Sequence, residues 1–382
     1  MSEINKREVL ELMRQNGNGY CADCGKKDPD WAAITFGAFV CWDCSGIHRS
    51  LGAHISKIKS VQLDDWKDAD VQVMKDNGNT AVNKRLEESV PVCWKKPVPT
   101  DSLVCREQWI RAKYERKEFV HATNGAVERS YVSGKRKGFL HKRKKDSNSW
   151  NSRYFLLDGE TLRYYRKLED PKPKECIPLL DLNITLNGVS GRPNGMQMTA
   201  LVKGKTRNYF VFADTGQEMI EWFCAIRQAR LQLLKMRYPR MPDIEIHSRL
   251  SRDFHRHGYL LKTPPLSKAH KKKAPFQKRW FVLDHRRLMY FIDPMDASPL
   301  GEILLGSEVE GFRLLDHGSK ELSGGEFCFT LITPVRPYDL IPVPETAEEK
   351  QLWMAALQKA IEDCGKHSEL PHSNTGTTYE MD

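Results

Sequence analysis

Two pairs of cysteines with the same internal spacing constrain the N-terminal part of this 382-residue chain. Two residues separate Cys21 from Cys24 and Cys41 from Cys44, and 16 residues lie between the pairs. Each Cys-x2-Cys turn directs two sulfur atoms at one point, so two such turns complete a tetrahedron with Zn–S bonds of about 2.3 Å. The spacing predicts one zinc ion held by four thiolates, against the alternative of four unrelated buried thiols.

The predicted zinc ion has a structural role, because four thiolate ligands leave no open coordination position for water. Its binding would supply folding free energy to a segment with little apolar core of its own. The other six cysteines show no ligand spacing, and we interpret them as ordinary reduced thiols: Cys93, Cys105, Cys176, Cys224, Cys328 and Cys364.

A repeat organises the rest of the chain. Residues 138–142 read Gly-Phe-Leu-His-Lys, and residues 258–262 read Gly-Tyr-Leu-Leu-Lys. A basic loop follows each copy, and then a segment that begins with Arg153 or Arg279 and ends in Leu-Asp. A tyrosine stands 11 residues beyond each arginine, and each copy ends in a helical pattern around a tryptophan: Tyr164 and Trp222 in the first copy, Tyr290 and Trp353 in the second.

Within each copy, short alternating apolar runs are separated by turn signals, which is typical of antiparallel strands. Asp158-Gly159 indicates a hairpin, and Asn187-Gly188 and Asn194-Gly195 also indicate turns. Several strands closed by one amphipathic helix, twice over about 100 residues each, predict two small sheet domains. Residues 235–256 are polar and contain prolines, which favours a linker or an irregular connection.

After the cysteine pairs, the sequence patterns up to residue 130 favour helices, so the zinc module is expected to pack against helices. We predict that Asp64 or Asp65 caps one helix, which ends at Asn77-Gly78, and that Asp101 caps a longer helix. Apolar residues at helical spacing mark both: Trp66, Val73 and Met74 in the first, and Leu103, Ile110 and Tyr114 in the second.

The formal net charge of +10 suits an anionic partner, which could be a membrane surface, a nucleic acid or a nucleotide-loaded protein. No apolar run approaches the roughly 20 residues that a membrane span needs. The N-terminal residues lack the apolar core of a secretion signal, which predicts a cytoplasmic protein. A nucleic-acid binder is disfavoured because the densest basic runs lie in the repeats and not around the cysteine pairs.

The segment from Cys41 to Gly52 (Cys-Trp-Asp-Cys-Ser-Gly-Ile-His-Arg-Ser-Leu-Gly) resembles the signature of Arf GTPase-activating proteins. Residues 53–60 and Pro29-Asp30-Trp31 continue the resemblance, and both repeat copies resemble pleckstrin-homology (PH) domains. Their order resembles the dual-PH Arf GAP family, the α-centaurins, over residues 5–360 or thereabouts. The resemblance implies an α-rich Arf-GAP domain with a four-cysteine zinc finger, then two PH domains, each a seven-stranded antiparallel barrel or sandwich with a C-terminal helix.

The corresponding domain boundaries are 1–130 for the Arf-GAP domain, 131–234 for the first PH domain and 255–362 for the second. A linker over 235–254 and a disordered tail over 363–382 complete the chain.

The resemblance implies that Arg49, five residues after the fourth cysteine, is an arginine finger. A guanidinium group inserted in trans neutralises charge that builds around the γ-phosphate of a GTP-bound Arf GTPase. Such a finger typically accelerates hydrolysis by about 10³–10⁵-fold. The alternative is a surface arginine paired with a carboxylate. We expect His48 to pack or hydrogen-bond beside Arg49, and Trp31 to pack against the zinc knuckles or against Arf.

The resemblance also implies a phosphoinositide site in each PH domain, because clustered cations suit the phosphates of the head group. The residues implied are Lys142, Arg153, Tyr164 and Lys174 in the first domain, and Lys262, Arg279 and Tyr290 in the second. Asn151 and Gln277 stand where the family motif has a basic residue, and Leu300 stands where Lys174 does. We therefore expect the first domain to bind more strongly, and the second to rely on loop lysines: Lys268, Lys271, Lys272, Lys273 and Lys278.

Two functions follow as hypotheses. The first is a GTPase-activating protein for Arf, not an enzyme in its own right, that phosphoinositides such as PIP3 or PI(4,5)P2 recruit from the cytoplasm to the plasma membrane. The second is a phosphoinositide-binding adaptor whose zinc domain binds partners without activating hydrolysis. Soluble inositol phosphates are further candidate ligands of the PH domains.

Overall fold

The computed structural model describes residues 2–15, 17–120, 129–186, 191–264, 276–318 and 325–366. The chain divides into two compact units. The first comprises Met1–Val202 and Tyr209–Ser251, and the second comprises Lys203–Asn208 and Arg252–Asp382. Within the described part of the chain, no helix is both long enough and apolar enough to cross a membrane.

The N-terminal part is built from short helices around a small sheet. The helices are α1 (Ser2–Arg14), α2 (Trp42–Ser50), α3 (Asp68–Asp76), α4 (Gly78–Leu86) and α5 (Leu103–Ile110). The strands β1 (Trp31–Ala33), β2 (Ala38–Val40) and β3 (Ile58–Ser60) form an antiparallel sheet in the order β2-β1-β3. Trp31 therefore lies on the central strand, opposite Val40 on one side and Ser60 on the other.

The predicted cap of the third helix is wrong. Helix α3 begins at Asp68 with Lys67 at its N-cap position, so Trp66 lies before the helix. Asp64 instead accepts a hydrogen bond from the Ser60 backbone amide at 2.6 Å, which closes the turn after β3. The predicted end of the helix at Asn77-Gly78 is confirmed, because α3 ends at Asp76.

The predicted cap of α5 is also wrong. Ser102 occupies the N-cap position, and Asp101 accepts hydrogen bonds from the Val98 amide at 2.8 Å and the Lys95 ammonium at 2.9 Å. The carboxylate thus stabilises the turn before the helix. The helix itself is present, and it continues into a π-helical turn over Arg111–Glu115 that contains Tyr114.

Two seven-stranded antiparallel sheets follow, and their identical strand orders confirm the predicted repeat. The first has the order β7-β6-β5-β4-β10-β9-β8 and the second the order β14-β13-β12-β11-β17-β16-β15. The first comprises β4 (Arg136–Arg143), β5 (Trp150–Asp158), β6 (Thr161–Tyr165), β7 (Glu175–Pro178), β8 (Asn183–Thr185), β9 (Gly195–Val202) and β10 (Lys205–Phe212). The second comprises β11 (Arg256–Lys262), β12 (Gln277–Asp284), β13 (Arg287–Phe291), β14 (Gly301–Leu304), β15 (Arg313–Leu315), β16 (Phe329–Ile332) and β17 (Pro337–Val343).

A helix closes each sheet around its predicted tryptophan. Helix α6 (Gly216–Arg237) buries Trp222, and Trp353 is buried on the last helix, Ala347–Lys366. The hairpin at Asp158-Gly159 is confirmed, because Asp158 pairs with Thr161 and Gly159 has a positive φ of 60°. Asn187-Gly188 lies outside the described residues.

Part of the segment predicted to be a linker or an irregular connection is a helix. Helix α7 (Asp243–Arg249) follows α6 after a short turn, and the last helix of the chain is therefore α8 (Ala347–Lys366). Ile246 and Leu250 are buried against Leu231 and Leu234 of α6. Their four-residue spacing gives the segment an apolar face, which its polar average composition conceals. The predicted disorder of 363–382 falls largely outside the described residues.

Candidate functional site

The four predicted cysteine ligands meet at one point. Their Sγ atoms all lie within 4.8 Å of one another, and those of Cys24 and Cys41 are 3.6 Å apart. A tetrahedral Zn–S bond of about 2.3 Å requires sulfur–sulfur separations of roughly 3.8 Å, so the four thiols fit a zinc ion. Among the described residues this is the one group of cysteines, histidines or carboxylates with metal-site geometry.

Backbone hydrogen bonds shape both cysteine turns. The Gly25 amide donates to the Cys21 carbonyl at 3.0 Å, and Gly25 has a positive φ of 72°, which the tight turn requires. Cys41 occupies the N-cap position of α2, and Cys44 lies in its first turn. The second pair therefore fixes the start of the helix whose last turn carries Arg49.

Arg49 lies against two tryptophan rings at the protein surface. Its guanidinium carbon is 4.2 Å from the centre of the Trp31 ring and 5.8 Å from that of Trp42. The two rings pack edge to face with centres 5.4 Å apart, and Trp42 is 60% exposed. No carboxylate within the described chain pairs with Arg49. The arrangement disfavours the alternative of a surface ion pair and keeps the cation accessible.

His48, the neighbour of Arg49, is fully buried in a polar network. Its Nδ1 lies 2.8 Å from Ser56 Oγ, and its Nε2 lies 3.0 Å from Asp23 Oδ2. Both ring nitrogens are therefore engaged, and the expected hydrogen bonding of His48 is present. Because Asp23 lies between two of the cysteines, the network connects the first cysteine turn to helix α2.

Asp23 and its other partners were not predicted from the sequence. Lys113 Nζ and Tyr114 Oη each donate to Asp23 Oδ1 at 3.0 Å, and all three side chains are buried. Burial alone would raise the pKa of Asp23, but the charge of Lys113 and the hydrogen bond from His48 hold that pKa well below its usual range. Burial, with the charge of Asp23, raises the pKa of Tyr114. The position of Asp23 inside a Cys-x2-Cys turn was the available sequence signal.

The first sheet domain brings its predicted lysine and tyrosine together. Lys142 Nζ lies 5.2 Å from the centre of the Tyr164 ring and donates to the Arg143 carbonyl at 3.0 Å. Tyr164 is only 2% exposed, so its ring supports Lys142 from inside the sheet. Arg153 is half-buried on the adjacent strand, and the exposed Lys174 directly precedes β7.

The second sheet domain repeats this arrangement. Lys262 Nζ lies 4.8 Å from the centre of the Tyr290 ring and donates to the Thr263 carbonyl at 3.1 Å. Burial, reinforced by the charges of Arg336 and Arg279, lowers the pKa of Lys262 to about 8. Arg336 was not predicted from the sequence. Lys278 is exposed beside Tyr259, and Lys268 and Lys271–Lys273 lie outside the described residues.

The two residues that depart from the basic family motif contact the neighbouring arginines. Gln277 Oε1 accepts a hydrogen bond from Arg279 Nη2 at 3.3 Å. With its amide oriented to satisfy its neighbours, Asn151 accepts one from Arg153 Nη2 at 2.9 Å. In each domain, an amide two residues before the arginine therefore orients its guanidinium group.

The predicted equivalence of Lys174 and Leu300 is supported by a shared hydrogen bond. The Lys174 amide donates to the Tyr164 carbonyl at 2.8 Å, and the Leu300 amide donates to the Tyr290 carbonyl at 2.9 Å. The second domain therefore has an apolar side chain where the first has a lysine.

A four-cysteine knuckle among short helices, followed by two seven-stranded sheets each closed by a helix, defines a multidomain protein of the zinc-finger and PH-domain class. A family profile described as a putative GTPase-activating protein for Arf matches residues 6–123. The PH-domain profile matches residues 134–230 and 254–362.

Curated proteins that are similar to the chain include the following three. Arf-GAP with dual PH domain-containing protein 2 from Mus musculus is 42% identical over 368 residues, which are 94% of this chain and 93% of that protein. The Homo sapiens protein of the same name is 41% identical over 368 residues, covering 94% and 93%. The Arabidopsis thaliana ADP-ribosylation factor GTPase-activating protein AGD12 is 46% identical over 116 residues, 30% of this chain and 34% of that protein. The chain belongs to the family of Arf-GAP proteins with dual PH domains, and the predicted fold class is confirmed.

Proposed function

We propose that this protein activates GTP hydrolysis by an Arf-family GTPase in its GTP-bound state, with Arg49 inserted in trans as the arginine finger. The observation that carries the proposal is the position of Arg49 at the end of a helix that the second cysteine pair anchors. Its guanidinium group rests on Trp31, 4.2 Å away, and is exposed to a partner. Charge accumulates around the γ-phosphate during transfer to water, and a rigidly held guanidinium group stabilises that charge.

One zinc ion bound by Cys21, Cys24, Cys41 and Cys44 would hold this geometry. Four thiolates occupy the tetrahedron, so the ion supplies cross-linking and folding free energy without activating water. The residues of this chain then position Arg49, while the GTPase orients the attacking water itself. No general base is required from the chain.

The two PH domains would recruit the protein from the cytoplasm to the plasma membrane by binding phosphoinositides such as PIP3 or PI(4,5)P2. Lys142, Arg153 and Lys174 would contact phosphates in the first domain, and Lys262 and Arg279 in the second. Tyr164 and Tyr290 support the two lysines. Soluble inositol phosphates share this chemistry and would compete with the lipids. Two modest sites on one chain retain it on a membrane more strongly than either site alone.

We assign the activation of GTP hydrolysis to residues 1–130 and lipid binding to residues 131–234 and 255–362. Residues 235–254 connect the two lipid-binding parts, and residues 363–382 form a tail.

A single-turnover assay tests the finger. GTP hydrolysis by Arf proteins on vesicles containing PI(4,5)P2 or PIP3 is measured with the wild-type chain and with Arg49→Lys. We expect the variant to be about a thousandfold slower, because lysine cannot reproduce the planar guanidinium contacts. Arg85→Lys, a change at an exposed arginine of α4, serves as the matched control and should leave the rate unchanged.

The same assay separates the proposal from the adaptor hypothesis. Equal rates for wild type and Arg49→Lys would remove the finger role. A wild-type chain that binds vesicles but accelerates hydrolysis by no member of an Arf panel would indicate the adaptor.

A further inference from the structure

The turn between β16 and β17 places an arginine near Lys262, at the proposed lipid-binding end of the second PH domain. The amide of Arg336 donates to Thr333 Oγ1 at 3.2 Å, and Thr333 Oγ1 donates back to the Arg336 carbonyl at 2.8 Å. These two hydrogen bonds fix the turn. The side chain of Arg336 is only 9% exposed, so its direction is set by packing.

Arg336 is held beside the end of the first strand of its domain. Its Nη1 donates to the carbonyl of Pro264 at 3.0 Å, two residues after Lys262. Its guanidinium carbon lies 4.1 Å from the centre of the Tyr338 ring. Since the ring and the carbonyl occupy one face and one edge of the guanidinium group, its remaining N–H groups can bond an anion.

Three cations lie close together here: Lys262, Arg279 and Arg336. Lys262 is 2% exposed and donates to one backbone carbonyl, and the buried Nε of Arg279 donates no hydrogen bond. Within the described part of the chain, Lys262, Arg279 and Arg336 pair with no carboxylate. Burying like charges together costs free energy unless an anion compensates them, and the lowered pKa of Lys262 reflects that cost.

We propose that Arg336 is a phosphate-binding residue of the second PH domain, where it replaces the cation lost at Leu300 and completes a three-cation site with Lys262 and Arg279. The ligand class is a polyphosphorylated inositol, either as a lipid head group or free in solution. The inference rests on the proposed lipid-binding function and reverses the expectation that the second site depends mainly on loop lysines.

A sequence repeat supports the assignment. Arg336 stands four residues before Leu340, which pairs with Lys262, and Arg207 stands four residues before Val211, which pairs with Lys142. Each arginine begins an Arg-x-Tyr motif near the start of a strand: Arg207 is the third residue of β10, and Arg336 directly precedes β17. The position is therefore a regular element of both copies that spacing arguments could have identified.

The test uses the full-length chain with Arg153→Gln, which removes the proposed arginine of the first site. Binding of inositol 1,3,4,5-tetrakisphosphate is measured by calorimetry, and binding to vesicles with and without PIP3 by sedimentation. In this background Arg336→Gln should weaken both by roughly tenfold to a hundredfold, which corresponds to losing a charge-assisted contact. Arg336→Lys keeps the charge but not the planar guanidinium group that stacks on Tyr338, so it should recover only part of the affinity.

Two controls separate ligand binding from folding. Arg286→Gln removes an exposed charge from the β12–β13 turn, at the opposite end of β12, and should leave the affinity unchanged. The melting temperature of each chain is measured with and without the tetrakisphosphate. The melting temperature of the Arg153→Gln chain should rise when the tetrakisphosphate is added. That of the same chain with Arg336→Gln should rise little.

Each outcome decides between specific claims. If Arg279→Gln abolishes binding while Arg336→Gln leaves it unchanged, the proposal for Arg336 is wrong and the second site stands. If the wild type binds but the Arg153→Gln chain does not, the second domain has no site and the proposal is also wrong. If no chain binds either probe, the proposed lipid-binding function itself fails. If Arg336→Gln weakens binding of the tetrakisphosphate while no chain binds vesicles, the proposal for Arg336 is supported and the ligand is a soluble one.

Discussion

The guanidinium carbon of Arg49 lies 4.2 Å from the centre of the Trp31 ring, which joins the end of helix α2 to the central strand of the N-terminal sheet. A flexible arginine loses side-chain entropy when it enters a partner's active site. Stacking on an aromatic face restrains the guanidinium group in advance and retains its charge. We therefore predict that Trp31 positions the proposed finger.

Replacing the supporting ring tests this role. We expect Trp31→Leu to lower the catalytic rate of Arf GTP hydrolysis by about fivefold to thirtyfold, because a cation–π contact contributes about 1–2 kcal/mol. Trp31→Phe should retain most of the rate, and Trp42→Leu should cost less because that ring is 5.8 Å away. In an Arg49→Lys background, Trp31→Leu should have little further effect. A full additional loss there would show that Trp31 acts independently of the finger.

Metal content provides a second prediction. Cys44→Ser should abolish stoichiometric zinc and GTPase activation, because structural zinc contributes about 10–16 kcal/mol in small zinc domains. Cys176→Ser, at an exposed thiol, should keep one zinc ion per chain, as measured by mass spectrometry of the metal. Full activity of a zinc-free Cys44→Ser chain would contradict the proposed role of the zinc ion in holding Arg49.

The lowered pKa of Lys262, about 8, predicts a pH dependence. Below pH 8 the folded and unfolded states both carry the charge, and the folded state bears its full burial penalty. Between pH 8 and the ordinary lysine value the folded state loses the proton first, so the stability of the second domain should rise. Denaturant titrations from pH 7 to 10 measure this.

Ligand binding should change in the opposite direction. A phosphate beside Lys262, Arg279 and Arg336 favours the charged amine, so affinity at the second site should fall as the pH rises above 8. Inositol phosphate titrations of the Arg153→Gln chain from pH 7 to 9 measure it. Lys262→Arg, which stays charged throughout, should flatten the profile. An unchanged slope in that variant would assign the effect to another group.

The Arf-GAP part and the first PH domain should unfold together, because they share one hydrophobic core. Arg227 of α6 donates through Nε to the Cys93 carbonyl at 2.7 Å and is 6% exposed. Arg227→Ala leaves that carbonyl unsatisfied and should destabilise the first unit by about 1–3 kcal/mol, measured by calorimetry. Arg237→Ala on the same helix loses only an exposed ion pair to Glu160 and should cost less than about 0.5 kcal/mol. Two separate transitions in the wild-type unit would contradict the shared core.

Local signals in the sequence determined the cysteine site, the repeat and the fold class. The Cys-x2-Cys spacing alone predicted the meeting of four sulfur atoms, because the geometry of each turn is confined to four residues. The repeated Gly-aromatic-Leu segments predicted two equivalent sheets, which the identical strand orders confirm. Such features depend on neighbours in the chain, and a single sequence contains them completely.

Tertiary structure decided the surroundings of those residues. The sequence named Arg49 and Trp31, but the fold placed one upon the other, since 17 residues and a change from strand to helix separate them. Asp64 and Asp101 stand where the sequence predicts helix caps. Each instead accepts a hydrogen bond from a backbone amide in a neighbouring turn, because several backbone donors compete for one carboxylate. Asp23 and Lys113 escaped prediction because burial and long-range partners give a charged side chain its role, and only the folded chain brings those partners together. Arg336 belongs to a repeated Arg-x-Tyr motif that the sequence contains, but only the fold places it beside the end of the strand that carries Lys262.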